Sequence, residues 1–93
     1  MARQRKILKK WLAGQKEERV ETVRAIVSRF FERHEFKRGS HIIVSDSRLA
    51  GKEGYGPQGI LTVPVKGGQK VKGYYLKKIV RALEEIGIDP DSV

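Results

Sequence analysis

At 93 residues, with 33% charged and 39% hydrophobic side chains, the chain has the size and balance of one folded domain rather than of a disordered segment. It has no cysteine, which excludes disulfides, thiolate chemistry and cysteine-bound zinc. Twenty Lys and Arg against eleven Asp and Glu leave a net charge of +9, the footprint expected of a protein that binds phosphates.

That charge is segregated. Residues 1–16 carry six basic residues and no acid, and residues 36–81 carry ten basic and two acidic. Residues 17–35 are nearly balanced, and residues 82–93 hold four acids and no base. The competing reading is a solvated surface kept soluble by charge. No apolar run approaches a membrane span. The basic start is followed only by Ile7 and Leu8 before Lys9, which is no signal-peptide core. The expectation is a soluble cytoplasmic protein that engages nucleic acid and no membrane.

The first predicted element is a short helix, Lys6 to Leu12, with Ile7, Leu8, Trp11 and Leu12 on one stripe and Gly14 as its left-handed cap. Residues 1–16 thus read as a basic helical extension on a domain of residues 17–93, docked by its Trp11 face. A longer helix is predicted from Glu17 to Arg33, with Val20, Val23, Ile26, Val27, Phe30 and Phe31 at helical spacing. His34 falls at its end, where an imidazolium suits the helix dipole.

Phe36 to Val44 reads as a strand, with a bulge at Gly39. Asp46 to Gly59 reads as a long, mobile connection. Ile60 to Val65 is the next strand, and Pro64 calls for a free edge there. Gly67-Gly68 turns the chain, and Lys70 to Lys72 is extended or loop. The last helix spans about Gly73 to Ile86, closed by Gly87 and Pro90. Strands grouped between helices define an α+β domain: an antiparallel sheet packed on helices.

Catalytic constellations are sparse. Neither His34 nor His41 belongs to a cluster with metal-ligand spacing, and no serine has a His and an acid in a triad order, so neither a metal nor a cofactor is expected. His41 has the more suggestive setting. If Phe36, Ile42 and Val44 face the helices, the two-residue strand period turns His41 outward, beside basic side chains. An imidazole can exchange a proton at neutral pH, RNA supplies a 2′-hydroxyl nucleophile, and Lys or Arg can stabilise a phosphorane-like transition state. Taken alone, a lone strand histidine is more often a polar surface residue.

Three segments in order add to that reading. Arg38-Gly39-Ser40-His41-Ile42-Ile43-Val44, then Leu61-Thr62-Val63-Pro64-Val65, then Val71-Lys72-Gly73 before Leu76-Lys77-Lys78-Ile79, resemble the HicA family of toxin ribonucleases over about residues 20–90. The resemblance implies a double-stranded-RNA-binding-domain-like fold with a three-stranded antiparallel sheet. It also implies metal-independent cleavage of mRNA with His41 as the catalytic residue, and neutralisation by a HicB-like antitoxin protein. Four features depart from the family pattern, and the first is that residues 1–16 extend beyond the usual compact domain. Many members carry a histidine soon after the Val-Pro pair, where this chain has Lys66. The connection from Arg48 to Gly59 is longer, and Tyr74-Tyr75 replaces a smaller pair. A non-catalytic RNA- or DNA-binding module on the same fold is the alternative.

Lys37, Arg38, Lys66, Lys70 and Lys72 are the candidate phosphate contacts, with ordinary surface charge as the alternative. Ser40 is a candidate to orient His41 or touch phosphate. Tyr55, Tyr74 and Tyr75 are candidates to stack on bases, Tyr75 equally to pack beside Leu76 and Ile79.

Overall fold

The structure is a computed structural model that describes residues 2–93. In chain order it contains α1 (Ala2–Leu12), β1 (Glu17–Arg19), α2 (Val20–Phe30), β2 (Arg33–Lys37), β3 (His41–Ser45), β4 (Ile60–Pro64), β5 (Lys70–Lys72) and α3 (Gly73–Glu85), with one 3-10 turn at Ser47–Leu49. The strands form an antiparallel sheet in the order β2-β3-β4 and a separate antiparallel ribbon of β1 and β5.

Period-two alternation decides the two faces of the sheet. Phe36, Ile42 and Val63 lie in one cross-strand row, and His34, Val44 and Leu61 in another. Ile42, Val44, Leu61 and Val63 are buried and join Val23, Ile26 and Val27 of α2 and Leu76, Ile79, Val80 and Leu83 of α3 in one core. The helices therefore cover this face. Pro64 ends β4, an outer strand of the sheet, where its missing N–H costs no ladder bond.

The N-terminal helix is part of the same core. Leu8 and Trp11 are completely buried, and the Trp11 indole N–H donates to Glu18 Oε1 at 3.0 Å. Gly14 (φ 103°) lets its N–H reach the Trp11 carbonyl at 3.2 Å, so the chain can reverse into β1.

Three sequence expectations are corrected. The helix predicted over residues 17–33 is shorter at both ends. Glu17–Arg19 is a strand because Lys70–Lys72, remote in sequence, pairs with it. At the other end, Phe31 is extended (φ −105°, ψ 155°) and starts the chain into β2. His34 consequently sits in β2, half-buried opposite Val44, and not at a helix end. The single strand predicted over residues 36–44 is a hairpin. Arg38 (φ 52°) and Gly39 (φ 68°) both take positive φ in a tight turn that the Ser40 N–H closes on the Lys37 carbonyl at 3.0 Å. Two consecutive positive φ angles suit a hairpin turn, whose twist matches that of the flanking strands.

The connection over residues 46–59, expected to be loose, is tied at several points. Its ends meet through the Asp46 N–H on the Gly59 carbonyl at 3.1 Å, and Gly51 N–H binds the Gly56 carbonyl at 2.8 Å. Asp46, only 1% exposed, accepts from the Arg48 guanidinium at 2.8 and 2.9 Å and from the backbone N–H of Glu32 and of Arg48. Arg48 also donates to the Phe30 carbonyl at 3.1 Å, which pins the loop to the end of α2. The Arg48 bonds hold the Asp46 carboxyl below its usual range, against the upward pull of burial.

Candidate nucleic-acid interface

One end of the sheet gathers most of the residues singled out from sequence. The β2–β3 turn places Arg38 at its tip, with Lys37 and His41 directly opposite each other at the strand ends. The outward face of β3 carries His41, exposed as the strand period requires, next to Pro64 of β4. Ser40 precedes it, with Oγ 3.0 Å from His41 Nδ1.

A second glycine turn meets the first. The Val65 N–H donates to the Ser40 carbonyl at 2.7 Å, which carries the chain from β4 past the hairpin tip. Lys66 and Lys70 then exchange backbone hydrogen bonds around Gly67 and Gly68. Gly68 packs so closely on the Gly39 carbonyl that an added Cβ would lie 3.3 Å from it. Backbone packing between two glycine turns thus brings Lys66 and Lys70 to the end of the sheet that bears Arg38 and His41. Lys72 lies farther along the ribbon, about 7 Å from Lys70 at ordinary strand rise.

Among the described residues, Arg38, Lys66, Lys70 and Lys72 have no carboxylate within ion-pair distance, and Lys37 has only an exposed contact to Glu35 at 4.0 Å. Exposed cations without acidic partners present their full charge to a polyanion. No group of three or more His, Cys, Asp or Glu side chains suited to a metal occurs among the described residues.

The tyrosines separate. Tyr55 is half-buried against the core, and burial followed by the Glu85 charge raises its pKa. Tyr75 also packs on the core, and its ring meets that of Tyr74 edge-on at 5.0 Å. Tyr74 is 66% exposed, with the Lys78 ammonium 5.1 Å from its ring centre. Of the three, only Tyr74 is exposed, and it stands on α3 rather than at the hairpin.

Two features escaped the sequence reading. Ile43 and Ile60 lie on the outward sheet face with Thr62, giving it apolar surface beside His41. The alternation of β3 that turns His41 outward contains the signal for Ile43. The second feature is Arg19, which lies opposite Lys70 in the ribbon. Glu17-Glu18-Arg19 has no β-forming pattern to announce it.

No family model matches the chain, and no curated protein or solved structure matches it either. The α+β class, with three helices and a three-stranded antiparallel sheet, stands on the structure itself. No helix among the described residues is long and apolar enough to cross a membrane.

Proposed function

We propose that the protein is a HicA-like toxin endoribonuclease that cleaves mRNA at the glycine-turn end of its sheet, with His41 as the proton acceptor. The observation that carries this reading is the outward His41, braced by Ser40 and set among the unpaired cations Arg38, Lys66 and Lys70. The path α2-β2-β3-β4-β5-α3, in which β2, β3 and β4 form the sheet, β5 leaves it to pair with β1 and the helices cover one sheet face, supports the double-stranded-RNA-binding-domain-like relationship that the sequence motifs imply. An mRNA substrate assigns the protein to the cytoplasm.

In this mechanism His41 Nε2 takes the proton of a ribose 2′-hydroxyl. The 2′ oxygen attacks the adjacent phosphorus, and the bond from phosphorus to the 5′ oxygen breaks. The products are a 2′,3′-cyclic phosphate and a 5′-hydroxyl end. The departing oxygen takes its proton from water, and His41 returns its own to solvent. Arg38, Lys66 and Lys70 stabilise the negative charge that builds on the non-bridging phosphate oxygens, and Lys37 and Lys72 hold neighbouring phosphates. The same exposed positive surface suits an acidic HicB-like antitoxin that covers it and blocks RNA.

One observation favours the alternative of a non-catalytic RNA- or DNA-binding module. The residue opposite His41 on β4 is Pro64, and Lys66 follows where many HicA proteins offer a second imidazole. The discriminating experiment incubates the protein with single-stranded RNA in EDTA. The catalytic reading requires fragments ending in 2′,3′-cyclic phosphate and no cleavage of DNA of the same sequence. Binding without cleavage over about pH 5 to 9, the range in which histidine titrates, would establish the module.

A further inference from the structure

We propose that the β1–β5 ribbon and α1 form a second RNA-binding track, in which Arg19, Lys16 and Lys10 extend the phosphate contacts away from His41. This rests on the RNA reading above and adds the direction in which the substrate runs. Backbone contacts carry the track in sequence. The Gly67-Gly68 turn leads to Lys70, which lies opposite Arg19 in the ribbon. The Val20 N–H on the Gln69 carbonyl, at 2.8 Å, holds this end together.

Lys72 lies opposite Glu17 at the far end of the ribbon. Gly73 then donates its N–H to the Lys16 carbonyl at 2.7 Å. A side chain at Gly73 would collide with the Gln15 carbonyl, so this junction is tight. The Gln15 N–H in turn binds the Lys10 carbonyl at 3.2 Å, which leads onto α1. Val71 is buried, so Lys70 and Lys72 share the outer face of β5, and Arg19 and Lys16 are exposed beside them.

Three acids lie along this path, Glu17, Glu18 and Glu21, and one of them is held by hydrogen bonds. Glu18 accepts from Trp11 and from Gln15. Arg19 has only a loose, exposed contact to Glu21 at 3.8 Å. Glu17 faces Lys72 without an ion pair among the described residues. On α1, burial of Leu8 and Trp11 turns Lys6 and Lys10 outward. A row of cations that starts at the reacting phosphate and runs along a narrow ribbon fits a linear polyanion better than a compact acidic protein.

The test measures RNA binding by the His41→Ala protein, alone and with Lys10→Gln, Lys16→Gln and Arg19→Gln added. The probes are single-stranded RNAs of about 4 and about 16 nucleotides, the span of site sizes common in single-strand binding. The track requires equal binding of the short RNA, and on the order of tenfold weaker binding of the long RNA by the triple variant. The slope of log affinity against log salt for the long RNA should also fall by about 2, at roughly 0.7 per phosphate contact. Unchanged affinity for the long RNA overturns the track. If polyglutamate binding alone is lost, the surface belongs to an acidic protein, which also overturns it. A separate control, Arg38→Gln with Lys66→Gln, must weaken the short RNA. If it does not, the RNA reading itself fails, and the track with it.

Discussion

Ser40 Oγ lies 3.0 Å from His41 Nδ1 and 3.3 Å from the Lys37 carbonyl oxygen. A serine hydroxyl has one proton to donate and lone pairs with which to accept. Donating to the Lys37 carbonyl leaves it to accept from Nδ1–H, and one imidazole tautomer satisfies both contacts. That tautomer leaves the basic lone pair on Nε2, the nitrogen not engaged by Ser40. Ser40→Ala is therefore expected to lower RNA cleavage about fivefold to tenfold, well short of the roughly 100-fold or more that loss of the base itself would cost, while RNA affinity is unchanged. Ring-nitrogen NMR of His41 should show the Nδ1–H form losing population in the variant. Unchanged tautomer populations would separate Ser40 from His41 orientation.

Phosphate binding at the hairpin end predicts a graded salt response. Each of Arg38→Gln and Lys66→Gln should reduce the slope of log affinity against log salt by about 0.7 for single-stranded RNA. The weakening should be similar for all sequences, since phosphate contacts do not read bases. Titrations over a fourfold salt range measure both quantities.

Gly59 tests how the hairpin is connected to the second half of the sheet. A Cβ there would collide with the Asp46 carbonyl and lie 2.7 Å from the Ala50 nitrogen, and φ is +66°. Gly59→Ala should cost about 3 kcal/mol, from steric overlap together with left-handed strain. Gly51→Ala, also at positive φ but facing open space, should cost about 1 kcal/mol. Urea denaturation of the pair separates overlap from backbone strain.

Asp46 sets the acid limb of stability. Its carboxyl has a lowered pKa in the fold, chiefly through the Arg48 side chain. Between the folded and unfolded values the unfolded chain binds more protons, so stability rises with pH in that window. The contribution is complete above the ordinary carboxylate value of about 4 and is lost as pH falls through the lowered folded value. The exposed carboxyls of Glu32, held low by Ser47, and Asp91, held low by Lys9, act in the same direction. Asp46→Ala should cost about 2 kcal/mol at neutral pH through lost charge-assisted hydrogen bonds. It should also flatten the decline of the urea midpoint below about pH 4.

Burial of Trp11 makes α1 a structural member of the fold as well as a basic surface. Trp11 is the only tryptophan, so its emission should be blue-shifted in the native state. Leu8→Ala should cost about 2–5 kcal/mol, as expected of a fully buried leucine. Urea unfolding followed by Trp11 emission and by far-ultraviolet circular dichroism should give one shared transition. An earlier loss of the Trp11 signal would make α1 an independent unit.

What was legible in the sequence follows from how local each determinant is. Ile42 and Val44 announce the buried face of β3, and from them the outward aim of His41 follows. The stripes from Val20 to Phe30 and from Leu76 to Leu83 likewise reveal two helices. The ribbon was not legible, because Glu17-Glu18-Arg19 becomes a strand only through Lys70–Lys72, brought to it by the fold. The hairpin tip was obscured by Arg38, a non-glycine residue at φ 52°. The Asp46 clamp was hidden in the same way, since Phe30 and Glu32 reach it only after the β2–β3 turn reverses the chain. The meeting of the Gly39 and Gly68 turns, which assembles the candidate site, depends on that long-range packing.

The most direct test compares wild-type protein with His41→Ala on the same single-stranded RNA in EDTA, with cleavage and binding measured together. His41 is exposed at a strand end, so its removal leaves the core intact. The expected result is cleavage by the wild type, a loss of at least about 100-fold in the variant, and RNA affinity within about twofold, a difference of roughly 0.4 kcal/mol. Equal cleavage by both proteins would contradict the catalytic role of His41.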